Sequence, residues 1–177
     1  MNYYNYNKKS RGGFTLIELL VVVAVIGALS GVVLQSLQGA RYKSQNATRL
    51  SDIDQIDKAI QLYLTKTNAS LPSTGGVWQC VGLTSGTCWG TPTAYSPATN
   101  LNAALAGNIA KIPKDPFIIT GNGNYYLYNS NYTGTHGAGS YLDWFVYNVG
   151  SRPCGRGYVA TTPVGQYQEC LLFIGKN

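Results

Sequence analysis

Residues Ser10–Leu34 read SRGGFTLIELLVVVAVIGALSGVVL, an apolar run entered through two glycines and carrying a single acid, Glu18, close to its start. Wound as a helix, Phe14 to Leu34 spans roughly 31 Å, which matches the ~30 Å hydrocarbon core of a bilayer. A carboxylate inside such a segment costs on the order of 2.5–3.5 kcal/mol on insertion scales, so its presence calls for a partner. Lys8, Lys9 and Arg11 precede the run with no acid among them. By the bias of basic residues toward the cytoplasmic side, the N-terminus is expected in the cytoplasm and the remainder of the chain outside the inner membrane. A secretory signal would instead have a shorter apolar core followed by a small-residue cleavage site. Here the small residues, Gly12 and Gly13, lie ahead of the core. Cutting after them would remove the charged leader, keep the membrane helix, and leave a new amine on Phe14.

KKSRGG followed by FTLIELLVVVAVIG resembles the class III signal of type IV pilins and type II secretion pseudopilins. The resemblance implies cleavage between Gly13 and Phe14 by prepilin peptidase, N-methylation of Phe14, and a part for Glu18 in filament assembly. It also implies the partners of that family: other copies of the same chain, minor pilins, an inner-membrane platform protein and an assembly ATPase. Physically, the Glu18 carboxylate of an incoming subunit can pair with the Phe14 amine of a subunit already docked, which offsets the desolvation of both.

Beyond Leu34 the apolar residues become periodic. Leu50, Ile53, Ile56, Ile60, Tyr63 and Leu64 recur at three and four, while Arg49, Asp52, Asp54, Asp57, Lys58 and Lys66 fill the other positions. This spacing predicts one helical face against a core, with Asp54 and Lys58 placed as an i, i+4 pair. The expected division is a leader 1–13, a membrane and filament-core helix 14–34, an amphipathic continuation 35–67 and a globular head 68–177. Gly27 and Gly31 form a GxxxG spacing that admits close helix approach.

Ala69 to Pro97 is rich in Gly, Ser, Thr and Pro and holds Trp78, Trp89 and two of the four cysteines. It reads as a surface loop tied by a disulfide. Cys80, Cys88, Cys154 and Cys170 all fall on the exported side, where an even number implies two bridges among three possible pairings. The two local pairs, Cys80–Cys88 and Cys154–Cys170, are expected, worth about 2.6 and about 3.1 kcal/mol by chain entropy. Asn100 to Pro113 reads as a short helix, and KDP as a turn in which Asp115 is a turn or capping residue. Tyr125–Asn129, Tyr141–Val149, Arg156–Thr161 and Tyr167–Ile174 read as strands of a small antiparallel sheet packed on the helix, an α+β fold.

The remaining chemistry is sparse. The formal charge of +6 falls by three to +3 once the leader is removed, a poor argument for nucleic acid. Lys111, Lys114, Arg152 and Arg156 are the only candidates for a basic stripe, so a nucleic-acid partner is possible but unsupported. His136 is the single histidine, set in GTHGAGS, and reads as loop filler rather than as half of a nucleophilic site. GNGNYY and GTHGAG lack the strand, helix and lysine of a phosphate loop and read as turns. The fourteen tyrosines read first as strand packing. Asn46, Asn68 and Asn131 fall in N-x-S/T triplets of chance level. The cysteine spacing is not that of a zinc site. No metal, cofactor or enzymatic activity is expected. The Cys154–Cys170 bracket is similar to the C-terminal disulfide loop of many pilins. Major pseudopilins often lack it and bind calcium through a late acidic loop, whereas only Asp143 and Glu169 are acidic after Asp115 here.

The expected function is therefore a structural subunit of a type IV pilus or similar filament, membrane-anchored as a precursor and extracellular after assembly. The alternatives are a type II secretion pseudopilin and a membrane-anchored binding domain that never polymerises.

Overall fold

In the computed structural model, residues 13–88, 94–115, 125–150, 153–160 and 166–176 are described. Trp89, Arg152, Pro116 and all of GNGN lie outside them, as do Lys8, Lys9, Arg11 and Gly12. Chain contacts divide into two compact units, Met1–Ala40 and Arg41–Asn177. The amphipathic part of the long helix thus shares its contacts with the head.

One helix, α1 (Leu16–Thr67), runs without interruption through both. No proline breaks it, and it stops where Asn68 adopts a left-handed φ of 50° and its N–H donates to the Leu64 carbonyl at 2.9 Å. Asparagine tolerates that conformation, so it closes the helix as glycine usually does. In unit 1 the side chains from Phe14 to Leu37 are exposed, including Leu16, Ile17, Leu20, Ile26, Leu29 and Leu34. The segment is long and apolar enough to cross a membrane.

In unit 2 the predicted helical face is the buried one. Ile53, Ile56 and Ile60 reach 3% exposure or less and join Leu142, Trp144 and Val146 in one core. The sheet is five-stranded and antiparallel in order β1-β2-β3-β5-β4, with β1 (Gln79–Cys80), β2 (Leu127–Gly134), β3 (Gly137–Tyr147), β4 (Tyr158–Val159) and β5 (Tyr167–Gly175). Alternation along β3 sends Leu142, Trp144 and Val146 to the α1 side. Asp143 and its register partner Leu127 therefore go to the opposite face. There Leu127 packs with Cys80, Leu83 and Cys88 in a second, smaller core. Cys80 is bonded to Cys88 and Cys154 to Cys170, with Cα–Cα separations of 6.2 and 5.4 Å.

Several local readings are corrected. The helix expected over Asn100–Pro113 is only α2 (Thr99–Leu105), because Gly107 and the approach to Pro113 end it early. The last strands differ too: β4 is two residues long, and β2 and β3 extend through the stretch read as a turn. Only Thr135 and His136 form the turn of that hairpin. Two of the flanking glycines, Gly134 and Gly139, are strand residues with rings lying on their backbone. A Cβ on Gly139 would stand 2.6 Å from the Phe173 ring and from the Gly175 carbonyl, and one on Gly134 would strike the Tyr158 hydroxyl and the Tyr141 ring. Gly139→Ala is accordingly expected to cost about 1–3 kcal/mol through overpacking, read as a lower urea midpoint with an unchanged slope.

Charged residues account for two further corrections. Arg49, assigned to the solvent side of the helix, is fully buried, and Asp115 is its partner rather than a turn or cap residue: Arg49 Nε lies 2.8 Å from Asp115 Oδ2, with side-chain exposures of 0% and 4%. Asp54 does not pair with Lys58. Arg156 instead forks onto α1, with Nε 3.0 Å from Asp54 and Nη2 2.5 Å from Asp57. Asn46 is unavailable for modification: its amide donates to the Tyr147 carbonyl at 2.7 Å and accepts from the Tyr147 N–H at 2.8 Å.

Candidate assembly site at the start of the long helix

The residues singled out for processing and assembly lie together on consecutive turns. Gly13 and Phe14 precede α1 and are exposed, Phe14 to 92%. Phe14 and Glu18 share one shallow hollow with Ile17, Val21 and Val22. Glu18 is already engaged locally. Its Oε2 accepts from the Thr15 N–H at 2.9 Å and from the Thr15 hydroxyl at 2.8 Å, while the Thr15 Oγ1 accepts from the Glu18 N–H at 3.3 Å. This is a capping box, in which a Thr and a Glu three residues on satisfy two of the otherwise orphaned N–H groups of a helix start. Reading Glu18 for its charge alone missed Thr15, although T-x-x-E ahead of an apolar run is the signal for it.

The box changes how the acid is supported. Both bonds end on Oε2, so Oε1 remains outside the box. The GxxxG glycines, Gly27 and Gly31, meet nothing within 4 Å where a Cβ would be, which leaves their backbone open to close approach.

Other candidates do not gather into a site. His136 sits at the β2–β3 turn among aromatic rings, 5.2 Å from Tyr158 and 5.8 Å from Phe173 by centroids. The buried tyrosines Tyr128, Tyr141 and Tyr147 belong to the sheet, and Tyr126 directly precedes β2. Among the described residues no three or more His, Cys, Asp or Glu side chains stand close enough to hold a metal ion.

Asp143 is buried on the sheet face away from α1. Desolvation, with the Glu169 charge second, pushes its carboxyl well above the usual range. Because the native value is raised, the stabilising contribution is complete below the unfolded value near 4 and is lost as pH rises through the native one. Urea midpoints measured upward from about pH 4 are therefore expected to fall more steeply for the wild type than for Asp143→Asn, and the variant is expected to be the more stable at neutral pH.

A capped apolar helix that continues as an amphipathic helix on a small antiparallel sheet defines a pilin-like subunit. The family model described as the prokaryotic N-terminal methylation motif matches residues 8–34. Curated relatives extend the likeness well past that motif. The chain is 35% identical over 127 residues to the type II secretion system core protein G of Escherichia coli (strain K12), covering 71% of this chain and 75% of the relative. It is 30% identical over 122 residues to the protein of the same description from Vibrio cholerae serotype O1, covering 69% and 73%. A third, from Pectobacterium carotovorum, is 29% identical over 116 residues, covering 66% and 68%. No solved structure matches significantly. The chain belongs to the type IV pilin and type II secretion pseudopilin family.

Proposed function

We propose that this chain is a structural, non-enzymatic subunit of a type II secretion pseudopilus. On this reading it is inserted in the inner membrane with its N-terminus in the cytoplasm, cut between Gly13 and Phe14, N-methylated on Phe14 and polymerised outside the membrane through α1. The sequence alone placed a type IV pilus subunit ahead of a secretion pseudopilin. The observation that favours the second is the extent of the likeness to the core G proteins. It covers 127 residues, more than twice the 52 residues of α1, and so includes much of the head as well as the shared helix. Working partners are then further copies of the chain, minor subunits, the prepilin peptidase, and the platform and ATPase of the machinery.

Two measurements test this. Deleting the gene is expected to block export of the cell's secreted hydrolases while leaving surface pili intact. Loss of retractile surface pili with normal export would overturn the secretion assignment in favour of a type IV pilus. Processing is tested at Gly13, where only a small side chain fits the proposed cleavage. Gly13→Leu is expected to abolish leader removal and leave the unprocessed mass in the membrane. A trimmed chain beginning at Phe14 from that variant would overturn the class III reading.

A further inference from the structure

Unit 2 begins at Arg41, and three tyrosines from three elements meet beside that point. Tyr42 of α1 stacks on Tyr147 at the end of β3, with centroids 3.9 Å apart and planes 16° apart. Tyr147 leans in turn on Tyr167 at the start of β5, at 5.2 Å. The Tyr42 hydroxyl donates to Gln166 Oε1 at 3.4 Å. The rings of Tyr42 and Tyr167 are half-buried, and Arg41 and Lys43, either side of Tyr42, are exposed. Among the described residues no carboxylate pairs with either cation.

The charges are segregated along the chain. No acid occurs between Glu18 and Asp52, while Arg41, Lys43 and Arg49 all lie in that interval. Arg49 is buried on Asp115, so the charge presented to solvent is that of Arg41 and Lys43. Along the helix, Arg41 follows Leu37, the last exposed large apolar residue of the run, by about 6 Å. A headgroup layer is about 5–8 Å thick on each side of the hydrocarbon core. Tyrosine concentrates in that layer because its ring is apolar and its hydroxyl wet, and basic side chains there meet lipid phosphates.

We propose that Tyr42, Tyr147 and Tyr167, with Arg41 and Lys43, form a docking surface for the anionic phospholipid headgroups on the outer face of the membrane. The two cations take phosphates, and the ring stack lies in the interfacial layer. The head is thereby held against the bilayer before assembly and is peeled from it when a subunit is withdrawn into the filament. The proposal rests on the reading that Phe14–Leu34 crosses the membrane.

The test uses the full-length chain in vesicles of phosphatidylcholine with or without phosphatidylglycerol, doped with a photoreactive-headgroup phospholipid. Cross-linked peptides are mapped by mass spectrometry, and an alkaline wash reports on the span separately. The expected result is lipid cross-linking in the peptides that carry Arg41–Lys43 and Gln166–Tyr167. It is expected to fall by roughly thirtyfold when phosphatidylglycerol is omitted, or in Arg41→Gln/Lys43→Gln, as the loss of two headgroup charge contacts implies. High salt is expected to weaken it likewise. A chain that resists the wash but cross-links no more at these peptides than elsewhere on the head, or equally without the cations, overturns the docking surface alone. Cross-links from these peptides to a second copy in place of lipid also overturn it. A chain removed by the wash overturns the span, and the docking surface with it.

Discussion

Asp115→Ala is expected to lower the stability of the head by about 3–5 kcal/mol, because it leaves the Arg49 guanidinium buried without its carboxylate. Set against total stabilities of about 5–15 kcal/mol for such domains, that is enough to bring a subunit near unfolding. Arg49 is fully buried and bonded to Asp115 at 2.8 Å. It also lies over the Tyr147 ring, 5.4 Å from the centroid. Replacing both partners by apolar residues, Arg49→Met with Asp115→Leu, is expected to recover most of the loss, since a buried ion pair is worth little against well-packed hydrophobic side chains. Urea unfolding of the two single variants and the double variant checks this. If Asp115→Ala cost less than about 1 kcal/mol, as surface pairs do, the buried pair would not hold α1 to the segment before Pro116.

The second large effect is on assembly. If Glu18 pairs with the Phe14 amine of a neighbouring subunit, Glu18→Val removes an ion pair inside the membrane at every docking step. A loss of a few kcal/mol per step weakens each docking equilibrium by roughly a hundredfold or more. Filaments are expected to disappear, while insertion becomes easier by about 2.5–3.5 kcal/mol and leader cleavage continues. The capping box supplies the decisive control. Glu18→Gln keeps an acceptor for the Thr15 N–H and hydroxyl but no charge, because glutamine serves at this position of the box as glutamate does. Both variants are expected to fail in filament yield, at normal membrane level and with the processed mass. Assembly by the Gln variant but not by the Val variant would assign Glu18 the capping role alone. Assembly by both would remove Glu18 from the mechanism.

The same acid shows how far local sequence reaches. The apolar run, its length and its lone carboxylate are legible without a structure because a bilayer imposes a fixed length and a steep cost on charge. The face of Ile53, Ile56 and Ile60 is legible because a helix returns to one side every three or four residues, and the strands because theirs alternate. Each of these patterns lies within one continuous stretch of the chain.

What the sequence could not decide is what such stretches do not contain. Arg49 and Asp115 are 66 residues apart, and Arg156 and Asp54 are 102 apart. Nothing near Arg49 distinguishes a buried cation from a solvated one. Gly134 and Gly139, beside His136, carry the composition of a turn, yet they lie in strands where Tyr158 and Phe173 arrive from elsewhere in the chain to cover them. Asp143 likewise alternates like a solvent-facing strand residue and is nevertheless buried on the face where Leu127 and the Cys80–Cys88 loop form the second core. The sequence by itself thus determined the long apolar helix, the acid at its start and the presence of an antiparallel set of later strands, since local sterics and solvation set all three. Only the tertiary structure decided which charges are buried, which glycines are strands and which rings meet beside Arg41, because those outcomes depend on which distant segments pack together.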